Sequence, residues 1–105
     1  MKSSKKILIL PGDGVGPEVC KEALKVMNSL SNLPFELDFE IDLIGGASID
    51  KFKTPLSPEV LEKAKISDSI LLGAVGGKKW DSLIPSERPE KGLLELRSSL
   101  GLFAN

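Results

Sequence analysis

Histidine and tyrosine are absent from the 105 residues, and cysteine and tryptophan occur once each, as Cys20 and Trp80. Without imidazole the chain by itself holds no Ser-His-Asp triad, no Cys-His pair and no zinc site that needs a histidine ligand. Without tyrosine it offers no phenolic proton donor. One cysteine excludes an internal disulfide and a CxxC pair, which suits a reducing compartment. An excess of one charge is also lacking: 14 Lys and Arg stand against 15 Asp and Glu, for a formal net charge of −1. That balance leaves no electrostatic footprint for nucleic acid or an anionic membrane. The apolar run behind the basic start, Ile7 to Leu10, stops at Pro11-Gly12 and is too short for a secretory segment or a membrane span. These absences predict a cytoplasmic protein with an uncleaved N-terminus and with neither a nucleic-acid nor a membrane partner.

Apolar residues make up 41% of the chain and charged residues 28%, the balance of a soluble globular protein. A chain of this size buries roughly 65% of the surface its unfolded form exposes, enough for one core without disulfides. No repeat, charge block or Gly/Ser linker divides it, so it is one domain or less.

Lys6 to Leu10 reads as a strand buried on both faces, ended by a Pro-Gly turn. Pro17 suits the first position of a helix whose Val19, Ala23, Val26, Met27 and Leu30 recur at helical spacing. Phe35, Leu37, Phe39, Ile41 and Leu43 alternate with acidic residues, the pattern of a strand with one wet face near a sheet edge. Gly45-Gly46 breaks it, and a single helical turn is expected over 47–52. Ser57 then caps a helix with Pro58 at its first position and Val60, Leu61 and Ala64 inward. A buried strand is expected over 68–75. After a polar loop holding solvated Lys78 and Lys79, a helix runs from Pro89 to about Leu100, with Gly101 as its stop, and a last strand begins at 102–105. This β-α-β-α-β-α-(β) order predicts an α/β layered fold with a largely parallel sheet.

Gly12-Asp13-Gly14-Val15-Gly16-Pro17 follows the first strand, where glycines let a backbone approach a pyrophosphate at a helix N-terminus. The spacing is not that of a GxGxxG fingerprint, because both frames place Pro17 or Val19 where a small residue is required, and no P-loop Lys-Ser/Thr pair is present. A tight βα turn built from glycines and a proline is the better account, and Asp13 alone is uninformative. Gly76-Gly77 lies past the carboxyl end of a strand, where open α/β sheets place ligand crevices, and a flexible turn accounts for it equally well. The polar loop behind it carries Trp80, a residue that more often anchors a loop than stacks on a ligand. On the last helix Glu90, Leu93, Leu94 and Arg97 fall at i, i+3, i+4 and i+7, so one stripe presents an acid, two branched apolar groups and a guanidinium. A core-facing helix with Leu93, Leu96 and Leu100 inward is the plainer reading; the stripe also suits a ligand with an apolar end and a carboxylate end, since Arg grips carboxylates bidentately.

The stretches LPGDGVGPEV (10–19), GGASID (45–50), LLGAVGGKKWD (71–81) and RPEKGLLELR (88–97), followed by LFAN (102–105), together resemble the β-decarboxylating dehydrogenases of the isocitrate/isopropylmalate type. The resemblance is colinear over essentially the whole chain. It implies a three-layer α/β/α sandwich distinct from the Rossmann fold. It also implies NAD-dependent oxidation of a 3-substituted malate with Mg²⁺ or Mn²⁺, loss of the β-carboxylate as carbon dioxide, and a homodimer. By motif position Arg97 resembles a substrate-carboxylate arginine, and Leu93 and Leu94 the pocket for the substituent. Glu90 is similar to an acid between substrate and nicotinamide ribose. Gly76, Gly77 and Trp80 lie in the segment that resembles the cofactor-contacting loop, and Val15 matches a position near the cofactor.

Burying a γ-carboxylate against Leu93 and Leu94 without a partner would cost several kcal/mol, whereas an isopropyl group gains there. Within the family this favours (2R,3S)-3-isopropylmalate, oxidised to 4-methyl-2-oxopentanoate in leucine biosynthesis. Tartrate, other alkylmalates and isocitrate remain alternatives, as does a noncatalytic flavodoxin-like or receiver-like binding module. The family pattern continues past Asn105 into a second substrate arginine, and its metal-binding aspartates, proton-donating tyrosine and base lysine have no counterpart here. Residues 1–105 are therefore expected to be the N-terminal part of the first, NAD-side domain of a longer dehydrogenase, with no catalytic residue or metal ligand of their own and no activity alone.

Overall fold

The computed structural model describes residues 3–101. Three strands, β1 (Ser3–Gly12), β2 (Phe35–Ile41) and β3 (Ser69–Ala74), alternate with four helices, α1 (Gly16–Ser29), α2 (Gly46–Phe52), α3 (Pro58–Ile66) and α4 (Pro89–Ser99). Two short 3₁₀ turns, Lys78–Trp80 and Pro85–Glu87, link β3 to α4. All strand pairs are parallel, in the order β2-β1-β3. The continuous apolar run of β1 takes the central position because only a central strand with both faces covered can bury every side chain. Leu8, Ile9 and Leu10 are each at most 1% exposed.

Leu8 and Leu10 point to one face, where Val60 and Ala64 of α3, Leu96 of α4, Ile44 and Leu56 complete the core. Ile9, one residue out of phase, points to the other face, and there α1 packs on β1 and β3. The handedness of parallel crossovers accounts for both layers. The chain steps outward from β1 to β2 through α1, then back across β1 to β3 through α3, so right-handed connections place the two helices on opposite faces. The observed architecture is the expected α/β/α layering on a parallel sheet, and β2, with its alternating acidic residues, is at an edge of the described sheet.

Local signals act as expected at several element ends. Ser57 Oγ accepts from Val60 N–H at 3.3 Å to cap α3, and Gly101 takes a positive φ of 71° just past α4. Two positions in the first βα turn require glycine. Gly12 has φ of 76°, and a Cβ there would drive into the Ala74 carbonyl; a Cβ on Gly16 would meet the Pro11 carbonyl. These glycines serve backbone contact between β1, α1 and β3, which explains why their spacing is not that of a dinucleotide fingerprint.

Several expectations are corrected. Val19 and Val26 of α1 and Leu30 at its C-cap are more than half exposed, and the buried residues of α1 are Gly16 and Cys20; the apolar residues of this helix form two stripes, and the spacing alone picked members of both. The strand β3 is half-buried rather than buried, because β1 is its only partner among the described residues. The segment expected as a single turn over 47–52 is the seven-residue α2. Lys79 is exposed as expected, with its Nζ 2.7 Å from Asp50 Oδ2 in a surface ion pair. The strand expected at 102–105 lies outside the described residues.

Lys63 ties α3 to β2 through Glu40 at 3.1 Å and Asp42 at 2.7 Å. Hydrogen bonds to Asp42 and then Glu40 raise the Lys63 pKa. Burial pushes the Asp42 carboxyl up, but the Lys63 hydrogen bond, the Leu43 N–H and nearby lysine charge outweigh it, so the net shift is downward.

Candidate functional site

The helices that follow β1 and β3 leave on opposite faces of the sheet, so the carboxyl ends of these adjacent strands splay apart. Open α/β sheets place their ligand crevice at such a switch point. Here its walls are the β1–α1 turn with Asp13 and Val15, the residues leading into α2, and the Gly76-Gly77 turn after β3.

Asp13 holds these walls together. It is 4% exposed, its N–H donates to the Ala74 carbonyl at 2.6 Å, and its carboxylate accepts three backbone N–H groups. Oδ2 takes Gly46 N–H at 2.7 Å and Gly76 N–H at 2.9 Å, and Oδ1 takes Ala47 N–H at 2.8 Å. The N-cap of α2 is Gly45, which has no side chain to offer. A carboxylate 33 residues away satisfies the orphan donors of that helix instead. Among the described residues no cation pairs with Asp13. Burying an unpaired charge costs several kcal/mol, and three hydrogen bonds to it, at about 1.5–3 kcal/mol each, offset that cost. Sequence reasoning set Asp13 aside; an acidic residue between two glycines after a buried strand was the signal available.

Gly76, at φ of 102°, lies directly against the Glu90 carboxylate, and a Cβ at Gly76 would collide with Oε1. The structure thus brings together two residues proposed from sequence to face the cofactor. Gly77 lies under the Trp80 ring, 3.1 Å from its edge as a Cβ would see it, and the same indole covers Gly46 closely. Trp80 Nε1 donates to Asp50 Oδ1 at 3.3 Å, so this indole is held by its own loop and by α2. Val15 stands at the N-cap of α1, 63% exposed, at the same end of the sheet.

On α4, Pro89, Gly92 and Leu96 are buried; a Cβ at Gly92 would meet the Pro55 carbonyl at 2.6 Å. The flank beside this buried stripe carries Glu90, Leu93, Leu94 and Arg97. Leu93 and Arg97 are half-buried, while Glu90 and Leu94 are exposed. Arg97 follows Leu93 by four residues and Leu94 by three, so all three share a side of the helix. Leu94 and Glu90 line an open groove of about 380 Å³ with Asp81, Pro85, Arg88 and Lys91; Arg97 and Leu93 lie outside it. The two arginines of the chain differ in use. Arg88 closes its own loop, donating from Nε to the Leu83 carbonyl at 2.8 Å and from Nη2 to the Asp81 carbonyl at 3.1 Å. Arg97 makes no ion pair among the described residues.

No cluster of three or more His, Cys, Asp or Glu among the described residues could hold a metal ion, so the ligands that the resemblance implies are not found there. The backbone at Gly76-Gly77 is bordered by the Glu90 carboxylate and the Trp80 ring. Burial pushes the Cys20 thiol pKa up, which keeps it protonated and unreactive. No described helix is long and apolar enough to cross a membrane.

The parallel α/β layering is that of the β-decarboxylating dehydrogenases. The chain belongs to the isocitrate/isopropylmalate dehydrogenase family, whose model matches residues 6–105. It is 58% identical over 104 residues to a 3-isopropylmalate dehydrogenase of Pseudomonas syringae pv. syringae and 59% identical to one of Pseudomonas putida. Each alignment covers 97% of this chain and 29% of the relative, so the chain spans under a third of the length of these proteins. Among solved structures, the apo β-decarboxylating dehydrogenase of Thermococcus kodakarensis superposes with a TM-score of 0.74 at 30% identity, over 92% of this chain and 27% of that one. An isocitrate dehydrogenase of Methylococcus capsulatus gives 0.54 at 27% identity, over 74% of this chain and 23% of that one.

The Lys79 hydrogen bond and then that of Trp80 hold the Asp50 carboxyl below its ordinary value. A depressed folded pKa gives a contribution that is complete above the ordinary aspartate value of about 3.9 and is lost as pH falls through the lower folded value. The fluorescence of Trp80, the only tryptophan, should therefore stay constant from neutrality to about pH 4 and change below it. In Asp50→Asn that acid step should vanish; its persistence would remove Asp50 as the cause.

Proposed function

We propose that these 105 residues are the N-terminal part of the first, NAD-side domain of a 3-isopropylmalate dehydrogenase, a cytoplasmic homodimeric enzyme of leucine biosynthesis that uses NAD and Mg²⁺ or Mn²⁺. The observation that carries this reading is Arg97: a half-buried guanidinium without an ion-pair partner among the described residues, on the same helix side as Leu93 and Leu94. Support also comes from relatives named for this activity at 58% and 59% identity.

The division of labour follows from side-chain chemistry. Arg97 binds a substrate carboxylate through paired charge-assisted hydrogen bonds. Leu93 and Leu94 take the isopropyl group, whose burial gains about 0.8 kcal/mol per methylene-sized group. A γ-carboxylate in the same place would lose its hydration without a partner, which selects against isocitrate. Glu90, Gly76 and Gly77 border the cofactor, with Val15 across the crevice and Trp80 bracing the loop. NAD bound there would supply the hydride acceptor for oxidation at the substrate C2. The C2 hydroxyl loses its proton, carbon dioxide leaves from C3 and a proton returns to C3. This chain's residues bind and orient the substrate for those steps and supply neither the acid nor the base.

In the full-length enzyme, Arg97→Ala should lower kcat/KM for 3-isopropylmalate by roughly a hundredfold or more, the equivalent of losing charge-assisted bonds of about 1.5–3 kcal/mol each. An unchanged value in steady-state assays would remove Arg97 from the substrate site. Replacing Leu93 and Leu94 by Asn should penalise 3-isopropylmalate by about tenfold or more over unsubstituted malate; equal losses for both substrates would count against the pocket. The isolated 105-residue chain should produce no NADH from 3-isopropylmalate, NAD and Mg²⁺, and measurable turnover would overturn the division of labour.

A further inference from the structure

We propose that Asp13 is a positioning residue for the cofactor: one buried carboxylate sets the places of both Gly76, against which Glu90 rests, and Gly46, on which Trp80 rests. The inference deepens the functional reading and rests on it, since it assumes that this corner binds NAD.

The geometry is specific. Gly46 and Gly76 are 30 residues apart, yet their N–H groups converge on the same Asp13 oxygen at 2.7 and 2.9 Å. The second oxygen takes Ala47 N–H at 2.8 Å, which stops the carboxylate from turning, and its own backbone is pinned to Ala74 at 2.6 Å. The two held glycines are the ones that carry the crevice's functional side chains on their open sides. Gly76 faces the Glu90 carboxylate, and Gly46 faces the Trp80 indole. Glu90 has no cation partner among the described residues, so its place relative to the loop depends on where the Gly76 backbone stands. A shift of Asp13 therefore moves both edges of the crevice at once, while Leu93, Leu94 and Arg97, farther along α4, keep their mutual geometry.

An amide cannot replace this carboxylate. With its oxygen toward Gly46 and Gly76, its NH₂ would face the Ala47 N–H, donor against donor. A role confined to stability would lower the melting temperature and leave the kinetic constants of the folded enzyme alone. A positioning role separates the two substrates.

The test is steady-state kinetics of the full-length enzyme as wild type, Asp13→Asn, Gly76→Ala and Ser48→Ala. Ser48 is also buried, and its hydroxyl donates to the Thr54 carbonyl at 2.6 Å rather than to the Asp13 carboxylate, so it reports the effect of a lost buried hydrogen bond with the Asp13 contacts intact. Asp13→Asn should raise both KM and the calorimetric dissociation constant for NAD by about tenfold or more while KM for 3-isopropylmalate changes by less than about threefold; Ser48→Ala should lower the melting temperature with neither KM changed. An unaltered KM for NAD in Asp13→Asn, or an equal rise in Ser48→Ala, overturns the proposal. Should Asp13→Asn fail to fold, Gly76→Ala decides: its Cβ forces Glu90 and the loop apart with Asp13 intact, and an unchanged KM for NAD overturns the proposal. A wild-type enzyme that oxidises 3-isopropylmalate without NAD would overturn the functional reading itself, and is seen before any variant is made.

Discussion

One buried carboxylate, with no cation partner among the described residues, holds three separate stretches of chain at the carboxyl end of the sheet. Asp13 takes N–H groups from the start of α2 and from the turn after β3 while sitting in the turn after β1. Removing it would leave three inward-pointing donors without partners, and each unsatisfied buried donor costs about 1–3 kcal/mol. A cation in its place could not accept them, and a neutral amide could accept only some. The crevice thus owes its shape to backbone hydrogen bonding converging on a point, with the glycines allowing loops to approach closely enough to make those bonds.

The sheet supplies the frame for that convergence. The chain steps from the central strand to one edge and returns to the other side, so the helices leave on opposite faces and the strand ends open between them. The core packs on the Leu8 and Leu10 side against α3 and α4, which fixes the rotation of α4. With Pro89, Gly92 and Leu96 inward, the flank bearing Glu90, Leu93, Leu94 and Arg97 has a single orientation available. The few buried residues of α4 therefore fix both the core contact and the orientation of the flank proposed to meet the ligand.

The parts legible from sequence were those governed by local rules. The Ser57-Pro58 start of α3, the alternating acidic pattern of β2 and Gly101 after α4 each rest on backbone preferences within a few residues; the stop expected at Pro11-Gly12 does not, because β1 runs on to Gly12, which pairs with Ala74. The helix stripe from Glu90 to Arg97 was also legible, because helical spacing is local. The inward face of α1 was not: two apolar stripes compete on that helix, and only the sheet decides that Cys20 rather than Val19 is covered. Nor was the role of Asp13, whose partners lie 33 to 63 residues away, or that of Asp50, which meets Trp80 across 30 residues.

The sequence by itself determined the alternation of strands and helices, the placing of the continuous apolar run at the centre of the sheet, and the order of acid, leucines and arginine along α4, because each depends on neighbours within a turn or a pleat. Tertiary structure alone decided which glycines touch backbone and which border the crevice. It also decided which of the two arginines is consumed by its own loop, and that Asp13 is a hub rather than a solitary charge. The physical reason is that hydrogen-bond donors and packing surfaces from distant segments meet only once the crossovers have set the sheet, and no local pattern records where they will meet.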